Sequence, residues 1–588
     1  MQVSLNVLMG RGYDATPSIA IIINKSTYLI NAPPLIYRLC IQNGIRLKTI
    51  SGIFITSHNT YGCGGLQSFY ESMKTCSAKY SIFAPADITE YLCHNNAIVD
   101  QDSLVQIISS TPEFESLPTI KVTSIEMSNS VSYKVNIDLD DLKFNQAKMK
   151  ELGLPPGSWI SNVRKFGEAV VNGNVVKKED IFFIQHSHFE LLFLDIQDKC
   201  DLLKLPSHEE MDKLDVIVHF TPPELFDDDY FSHFQKVKNY CFLNDAIVCL
   251  KESFEFYENF TNFDSSLFPP LPQGHIKTHQ NLPSNFLSLF SGSILYSSQN
   301  FELKQIQSIP IVSCDLPRFS IFAFTVIGSC GAYECPKKGC SGYLLHTHQG
   351  FVIIDCGNGY LQQLCRKYGP ENLEFIMKNL KCIWLSHCHF DHLFGIYDIL
   401  LYHKKVTGEK LLVCCDPISM SEIENKAAVY GKGDKNFFNL TFNDRKESIQ
   451  ICDVVIQSIE TTHCQFSMGC VITFKDGFKI AYTSDMLNDG KFKSAVIHCD
   501  LLISEATYTQ AKEDRCQVYF HMTNRQAEEL QLSLGAKYLI MVHTSNCYSP
   551  DDFVTNNENA IYGFDYLCFT NDNIQRVFAA NEKVKAKY

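Results

Sequence analysis

The stretch Ser386-His387-Cys388-His389-Phe390-Asp391-His392 constrains this chain more than any other. It follows the apolar run Cys382-Ile383-Trp384-Leu385, which reads as the end of a buried strand. The polar cluster then falls on the loop leaving that strand. Three imidazoles and a carboxylate in so short a stretch are costly to bury unless something binds them. Nitrogen and oxygen donors at roughly 2.0–2.2 Å suit zinc. The spacing points to two ions: His387 and His389, two apart on an extended loop, face one, while Asp391 and His392 turn toward a neighbour. Two ions about 3.5–4 Å apart can clamp the attacking and leaving oxygens of a displaced phosphoryl group.

The chain also repeats itself. Tyr28-Leu-Ile-Asn-Ala-Pro-Pro-Leu-Ile-Tyr-Arg-Leu39, a charged stretch and Gly52-Ile-Phe-Ile-Thr-Ser-His58 read as strand, turn, helix, strand and histidine loop. Phe351-Val-Ile-Ile-Asp-Cys-Gly-Asn-Gly-Tyr-Leu-Gln-Gln-Leu364, a charged stretch and Lys381-Cys-Ile-Trp-Leu-Ser-His387 read the same way. So long a period means duplicated domains rather than a solenoid. In the first copy only His58 answers to a ligand; Thr60, Gly62 and Cys63 stand for His389, Asp391 and His392. A lone imidazole cannot hold two ions, so the first half is expected to bind no catalytic metal and His58 to be packed.

Alternating β and α patterns in both halves predict an α/β chain of two tandem sandwich domains, the N-terminal one degenerate. The proline cluster in Leu267-Phe-Pro-Pro-Leu-Pro-Gln-Gly274 marks a break. The expected division is a front domain 1–265, a linker 266–318 and a catalytic domain 319–588. The absence of a long apolar run argues against a membrane span. The alternating start Met1 to Leu8 lacks the marks of a signal or transit peptide, so the nucleus or cytoplasm is expected. The 24 cysteines then default to reduced thiols, and Cys335 and Cys340 lack the second pair that a zinc finger needs. A net charge of −14 means that any nucleic-acid contact must rest on a local basic patch.

One loop cannot fill two coordination spheres, and three later residues each follow an apolar strand: His463 after Val454–Ile459, Asp485 after Phe478–Tyr482 and His543 after Lys537–Val542. In this order after HxHxDH they resemble the metallo-β-lactamase superfamily. Further stretches narrow the likeness to ribonuclease Z (tRNase Z). Leu501-Leu-Ile-Ser-Glu-Ala-Thr-Tyr508 resembles its HEAT motif, Phe520-His-Met-Thr-Asn-Arg-Gln-Ala-Glu528 its HST motif, and Val542-His-Thr-Ser-Asn-Cys-Tyr548 its HFSxRY motif. Glu151-Leu-Gly-Leu-Pro-Pro-Gly-Ser158 and Arg164-Lys-Phe-Gly-Glu-Ala-Val170 look like its flexible arm, and the duplicated, half-silent layout like its long eukaryotic form.

The resemblance implies one zinc ion on His387, His389 and His463, a second on Asp391, His392 and His543, and Asp485 bridging both. It implies Asp391 as general base, and His521 oriented by Glu505 as proton donor to the leaving oxygen. The arm, Lys143 to Lys178, carries Lys143, Lys148, Lys150, Arg164, Lys165, Lys177 and Lys178 against Glu151 and Glu168. Lys148, Lys150, Gly157, Arg164 and Lys165 are its expected RNA contacts, sequence-independent and salt-sensitive.

The implied activity is removal of 3′ trailers from precursor tRNA, by a monomer whose halves act as a pseudo-dimer. Another phosphodiesterase of the same fold, or a silent RNA-binding homologue, are the alternatives; residues 486–541 leave no room for the inserted domain of an mRNA 3′-end nuclease. The family's PxKxRN loop survives only as Pro336-Lys337-Lys338-Gly339. Cys547, Ser158 and Asn358 replace its arginine, proline and glutamate. His186, His188, His346, His348 and the closing Lys583 to Lys587 run are assigned no site.

Overall fold

The computed structural model describes residues 2–12, 16–57, 60–66, 69, 70, 73, 79–85, 105–109, 114–117, 120–243, 251–272, 282–289, 291–303, 315–431, 433–445, 447–496, 498–546 and 555–580. His58, Cys547 and the closing lysine run lie outside them. Each half of the chain is a pair of facing sheets. In the back half, Leu440–Asn443, Leu411–Cys414, Leu380–Trp384, Gly350–Cys356, Gly342–Thr347, Ala323–Gly328 and Cys568–Thr570 form one sheet, in that order. Ile449–Ile451, Val454–Glu460, Met468–Phe474, Lys479–Tyr482, Leu501–Glu505, Tyr538–Val542 and Ala560–Tyr562 form the other. Alternate side chains of the two sheets interdigitate, with Trp384, Tyr343, Ile456, Ile480 and Ile540 in one core. The helices Tyr360–Lys378 and Ile396–Thr407 cover the first sheet and Asn524–Leu534 the second.

The front half repeats this arrangement. Its second sheet runs Phe286–Leu289, Lys238–Phe242, Val216–His219, Phe182–Leu194, Val131–Phe144, Ile120–Glu126 and Phe114–Leu117. As in the back half, four successive strands are parallel and the rest antiparallel. Its first sheet holds Val3–Met9, Ser18–Ile23, Ser26–Ile30, Ile50–Phe54, Tyr80–Ala84 and Val105–Ser109, extended by Ile294–Tyr296 and Glu302–Leu303.

Those last two strands and Phe286–Leu289 fall in the range expected as a linker, 266–318, and complete both front sheets instead. Earlier in the same range, Leu267, Phe268 and Leu271 enter the back core beside Phe256, Tyr257 and Phe260 of the helix Lys251–Phe263, where Phe260 stacks on Phe564 at 4.2 Å. The chain thus crosses to the back half, returns and crosses again. The prolines that suggested a boundary end a buried segment.

Val131–Phe144 and Phe182–Leu194 pair from Tyr133↔Phe193 out to Phe144↔Phe182. Their tip carries residues 145–181, which cluster around Met149, Val163, Val171, Val176 and Ile181. The range expected as an arm, Lys143 to Lys178, falls on this small folded unit on a two-strand stalk.

Candidate metal centre

Each expected ligand lies just past a strand of the back half, so the strand ends bring them to one rim. His387, His389, Asp391 and His392 follow Leu380–Trp384, and Asp485 follows Lys479–Tyr482. His463 sits in the loop after Val454–Glu460, and His543 follows Tyr538–Val542. His389 Nδ1 is 3.0 Å from both His387 Nε2 and His463 Nε2. Asp485 Oδ2 completes that cluster, 3.7 Å from His387 Nε2 and 3.5 Å from His463 Nε2. The other oxygen of Asp485, Oδ1, faces a second cluster, 3.2 Å from His543 Nε2 and 3.4 Å from His392 Nε2. Asp391 Oδ2 joins it at 3.2 Å from His543 Nε2 and 3.8 Å from His392 Nε2.

Donor atoms at 2.0–2.1 Å around a tetrahedral ion stand about 3.3–3.4 Å apart, within the spread of these distances. Two donor atoms are buried without a hydrogen bond, His392 Nε2 and Asp485 Oδ1, and both point into the second cluster. An orphaned buried donor pair of this kind fits a cation between them. The residues therefore fit a two-metal site, with Asp485 facing both positions. The centre opens to solvent at His389, the exposed member.

The outward ring nitrogens of four of these histidines are held by neighbours, which turns the other nitrogen of each ring toward its cluster. His392 Nδ1 meets Asp355 Oδ2 at 2.9 Å, His387 Nδ1 meets Ser386 Oγ at 2.9 Å and His543 Nδ1 meets Thr507 Oγ1 at 2.9 Å. His463 Nδ1 meets the Phe520 carbonyl at 2.9 Å. Asp355 also accepts from Ser386 N at 2.6 Å and from the Tyr482 hydroxyl at 2.7 Å. Asp391 Oδ2 accepts from Ala332 N at 2.7 Å. Backbone strain gathers here: Asp355, Ser484 and His543 have φ of 52°, 53° and 56°.

Burial, with the neighbouring imidazoles, keeps His387 well below the usual histidine range, and burial takes His389 down to about 4. Such rings stay neutral, as ligands must. Burial also opposes charge on His392, but Asp485, Asp391 and Asp355 push it well up. That pocket calls for positive charge.

Glu505 ends its strand and is buried. Its Oε1 accepts from Met486 N at 2.6 Å, and His521 Nδ1 lies 3.1 Å from Oε1 and 3.2 Å from Oε2. Nδ1 therefore faces the carboxylate, and Nε2 lies on the opposite side of the ring. Burial works against a charged His521, but Glu505 outweighs it and carries the ring up to about 9. His521 stacks on His543 at 5.5 Å and lies tilted against His463 at 4.7 Å. It thus adjoins the centre beside His463, His543 and Asp485.

The arm residues do not join this rim. Lys148 pairs with Glu151 at 3.3 Å, and Lys165 lies over Phe166 at 5.1 Å. Arg164 donates to the Leu142 carbonyl at 3.0 Å and covers Phe182 at 5.7 Å, stapling the arm to its stalk. Gly157 packs on Trp159, where a Cβ would come within 2.9 Å of the ring. Lys150 projects into solvent.

The sequence reading missed Asp355, Ser386, Tyr482 and Thr507 as orienting groups, although Asp355 ends the strand beside the HxHxDH strand, on the same rim. It also missed Arg38. This buried front-half residue reaches into the back half, donating to Gln363 Oε1 at 2.9 Å and the Pro336 carbonyl at 3.2 Å, with Asp565 at 3.8 Å. Asp565 in turn accepts from Ser329 N and Gly339 N, at the two ends of the loop that offers Ala332 N to Asp391.

The two histidine loops can now be compared residue by residue. Ile30 pairs with Phe54 in front and Ile354 with Trp384 behind. A Cβ on Gly65 would lie 2.2 Å from the Pro33 carbonyl, as one on Gly395 would from the Gly357 carbonyl. This register corrects the sequence alignment by one residue: Ser57, not His58, stands at the place of His387, and Gly62 at that of His392.

Residues 322–551 match the family described as "Anti-Pycsar protein Apyc1". "Ribonuclease Z, mitochondrial" of Drosophila melanogaster is 21% identical, with 97% of this chain and 87% of the relative covered. "Ribonuclease Z 1" of Schizosaccharomyces pombe is 29% identical over 36% of this chain and 29% of its own length. For mouse "Zinc phosphodiesterase ELAC protein 2" the figures are 27%, 37% and 29%. Among solved structures, a long-form RNase Z from yeast superposes with a TM-score of 0.72 at 14% identity, over 99% of this chain and 98% of that one. Among the described residues no helix is long and apolar enough to cross a membrane. Likeness in sequence to the fly protein and in shape to the yeast one both run the length of the chain, front half included, so the chain has the fold of a long-form RNase Z over its whole length.

Proposed function

We propose that the chain is a zinc-dependent endoribonuclease that removes 3′ trailers from precursor tRNA and leaves a 3′ hydroxyl on the tRNA. The observation that carries this reading is the convergence of seven ligand-type side chains into two clusters that share Asp485. His387, His389 and His463 would hold one ion, Asp391, His392 and His543 the other, with Asp485 between them. Two bound zinc ions supply Lewis acidity toward phosphate oxygens and a nucleophilic water at neutral pH. Asp391, fixed by Ala332 N, is placed to accept a proton from the attacking water. His521, held by Glu505 through Nδ1, delivers the proton on Nε2 to the departing 3′ oxygen. The arm grips the RNA away from the cut through Lys148, Lys150 and Lys165, with Arg164 and Gly157 shaping it. The monomer keeps this division of labour in one chain.

The test is direct. Purified protein should cut a trailer-bearing precursor tRNA once and carry close to two zinc ions per chain, and Asp391→Ala or His392→Ala should stop the cutting. Normal cutting by both variants would end the proposal. The reading carries a nuclear or cytoplasmic location, although the fly relative's name is mitochondrial. Imaging of the tagged full-length protein decides between them.

A further inference from the structure

Two phenylalanines beside the centre are in the wrong place for the core and in the wrong conformation for their type. Phe466, in the loop that carries His463, is 43% exposed with φ of 64°. Phe520, next to His521, is 41% exposed with φ of 56°. A bulky residue in the left-handed region is an outlier, and glycine would adopt either conformation at less cost. The backbone at both positions is committed to the ligand loops. The Phe520 carbonyl accepts from His463 Nδ1 at 2.9 Å, and the Phe466 carbonyl accepts from Arg445 at 2.9 Å. Arg445 itself donates to the Ser386 carbonyl at 2.6 Å, at the start of the HxHxDH loop. Val518 and Tyr519, 64% and 55% exposed, continue the apolar surface from Phe520. A glycine would have served the hydrogen bonds, so it is the rings that need explaining. Exposed large apolar side chains on the loops beside the centre are an informative feature of a surface.

We propose that Phe466 and Phe520 form an aromatic rim that stacks unpaired nucleobases next to the scissile phosphate. The proposal rests on the reading of the chain as an RNA-cutting enzyme. Rings accept any base through its π-face and need no charge, which suits a protein with a net charge of −14. Their carbonyls tie them to the two loops that hold His463 and His387, so a base seated on them is fixed relative to the metal positions. Stacking there would choose single-stranded RNA at the cut, while the arm chooses the folded body by its phosphates.

The test is equilibrium binding of a short single-stranded RNA, and of the same RNA made abasic, to the full-length wild type and to a Phe466→Gly, Phe520→Gly double variant. Glycine suits both backbone conformations, and a Phe466→Tyr, Phe520→Tyr variant checks that rings alone are read. Wild type and the tyrosine variant should bind the natural RNA about ten-fold more tightly than the abasic one. The glycine variant should bind both alike. The salt dependence should match in all three, because stacking releases no counterions. Equal binding of the two RNAs by wild type, or a preference that survives the glycine substitutions, overturns the proposal. Cleavage of a precursor tRNA by wild type is scored separately, so failure of the functional reading and failure of the rim are told apart.

Discussion

Asn31 and Asp355 occupy the same corner of the two halves, and the single atom that separates their side chains separates their chemistry. Both lie at a strand's C-terminal end with positive φ, 62° and 52°. Both accept from the backbone of the next strand's exit, Thr56 N at 2.9 Å and Ser386 N at 2.6 Å. Asn31 then spends its amide on the Pro17 carbonyl at 3.2 Å, and Thr56 turns to Asp195. Asp355 instead presents a carboxylate to His392 Nδ1, which aims that ring inward. Around Asn31 the corresponding ligand-type residues are replaced. Ser57 and Gly62 replace His387 and His392, Leu243 follows the strand where His543 does, and residues 127–130 replace the longer loop 461–467 that carries His463. The loop architecture therefore does not depend on a metal. A neutral amide closes it as well as a carboxylate does, and only the carboxylate orients a histidine ring from this corner.

The comparison breaks most severely if the shared carboxylate is dispensable. Asp485→Ala should remove metal from both clusters and abolish cutting, measured by elemental analysis and by cleavage of a trailer-bearing RNA. Restoring ligand types in front, with Ser57→His and Gly62→His together, should add no metal. A smaller loss is expected for His521→Gln, about 10²–10⁴-fold in kcat with metal content unchanged, as for removal of a general acid. A drop in metal content there would make His521 a ligand instead, in keeping with its nearness to Asp485 and His543. The sharpest version moves the front half's residue into the back. Asp355→Asn should cost about 10–100-fold in metal affinity or activity while leaving the fold intact, because Asn31 shows that the amide fits. Competition with a zinc chelator reads the affinity.

The gathering of these seven side chains was legible because each is a ligand-type residue shortly past an apolar strand, and strand ends of a layered fold share a rim. Asp355 was not, since an aspartate before Cys356 and Gly357 reads as a turn former. Arg38 was invisible for a different reason: its partners Gln363 and Asp565 lie in the other half of the chain, and nothing in its own neighbourhood marks it for burial. The histidine loop of the front half was placed one residue off because the two loops were matched on His58 and His387. The strand register that corrects this depends on pairing with a neighbouring strand. The proline cluster after Phe268 was legible as a break but not as the end of a segment buried in the opposite half.

Buried histidines make the last contrast between the halves, and the mildest test of it. His219 ends the strand Val216–His219 in the front half, its Nδ1 2.7 Å from the Tyr230 hydroxyl and its Nε2 3.0 Å from Asn239 Oδ1. Phe234 and Phe286 lie at 4.9 and 5.1 Å. Burial in this apolar setting takes its pKa down to about 4, whereas burial of His392 is outweighed by three carboxylates. An unfolded histidine titrates near 6.5, so on acidification the unfolded chain takes the proton first. The stability that neutral His219 contributes is then complete above about pH 6.5 and is lost progressively toward pH 4. Between pH 7 and 5.5 the loss is about 1 kcal/mol. Denaturant unfolding at the two pH values should show this loss in wild type and a smaller one in His219→Gln, which keeps a polar side chain but cannot titrate. An equal pH response in both would mean that His219 carries no more of the acid sensitivity than any other buried group.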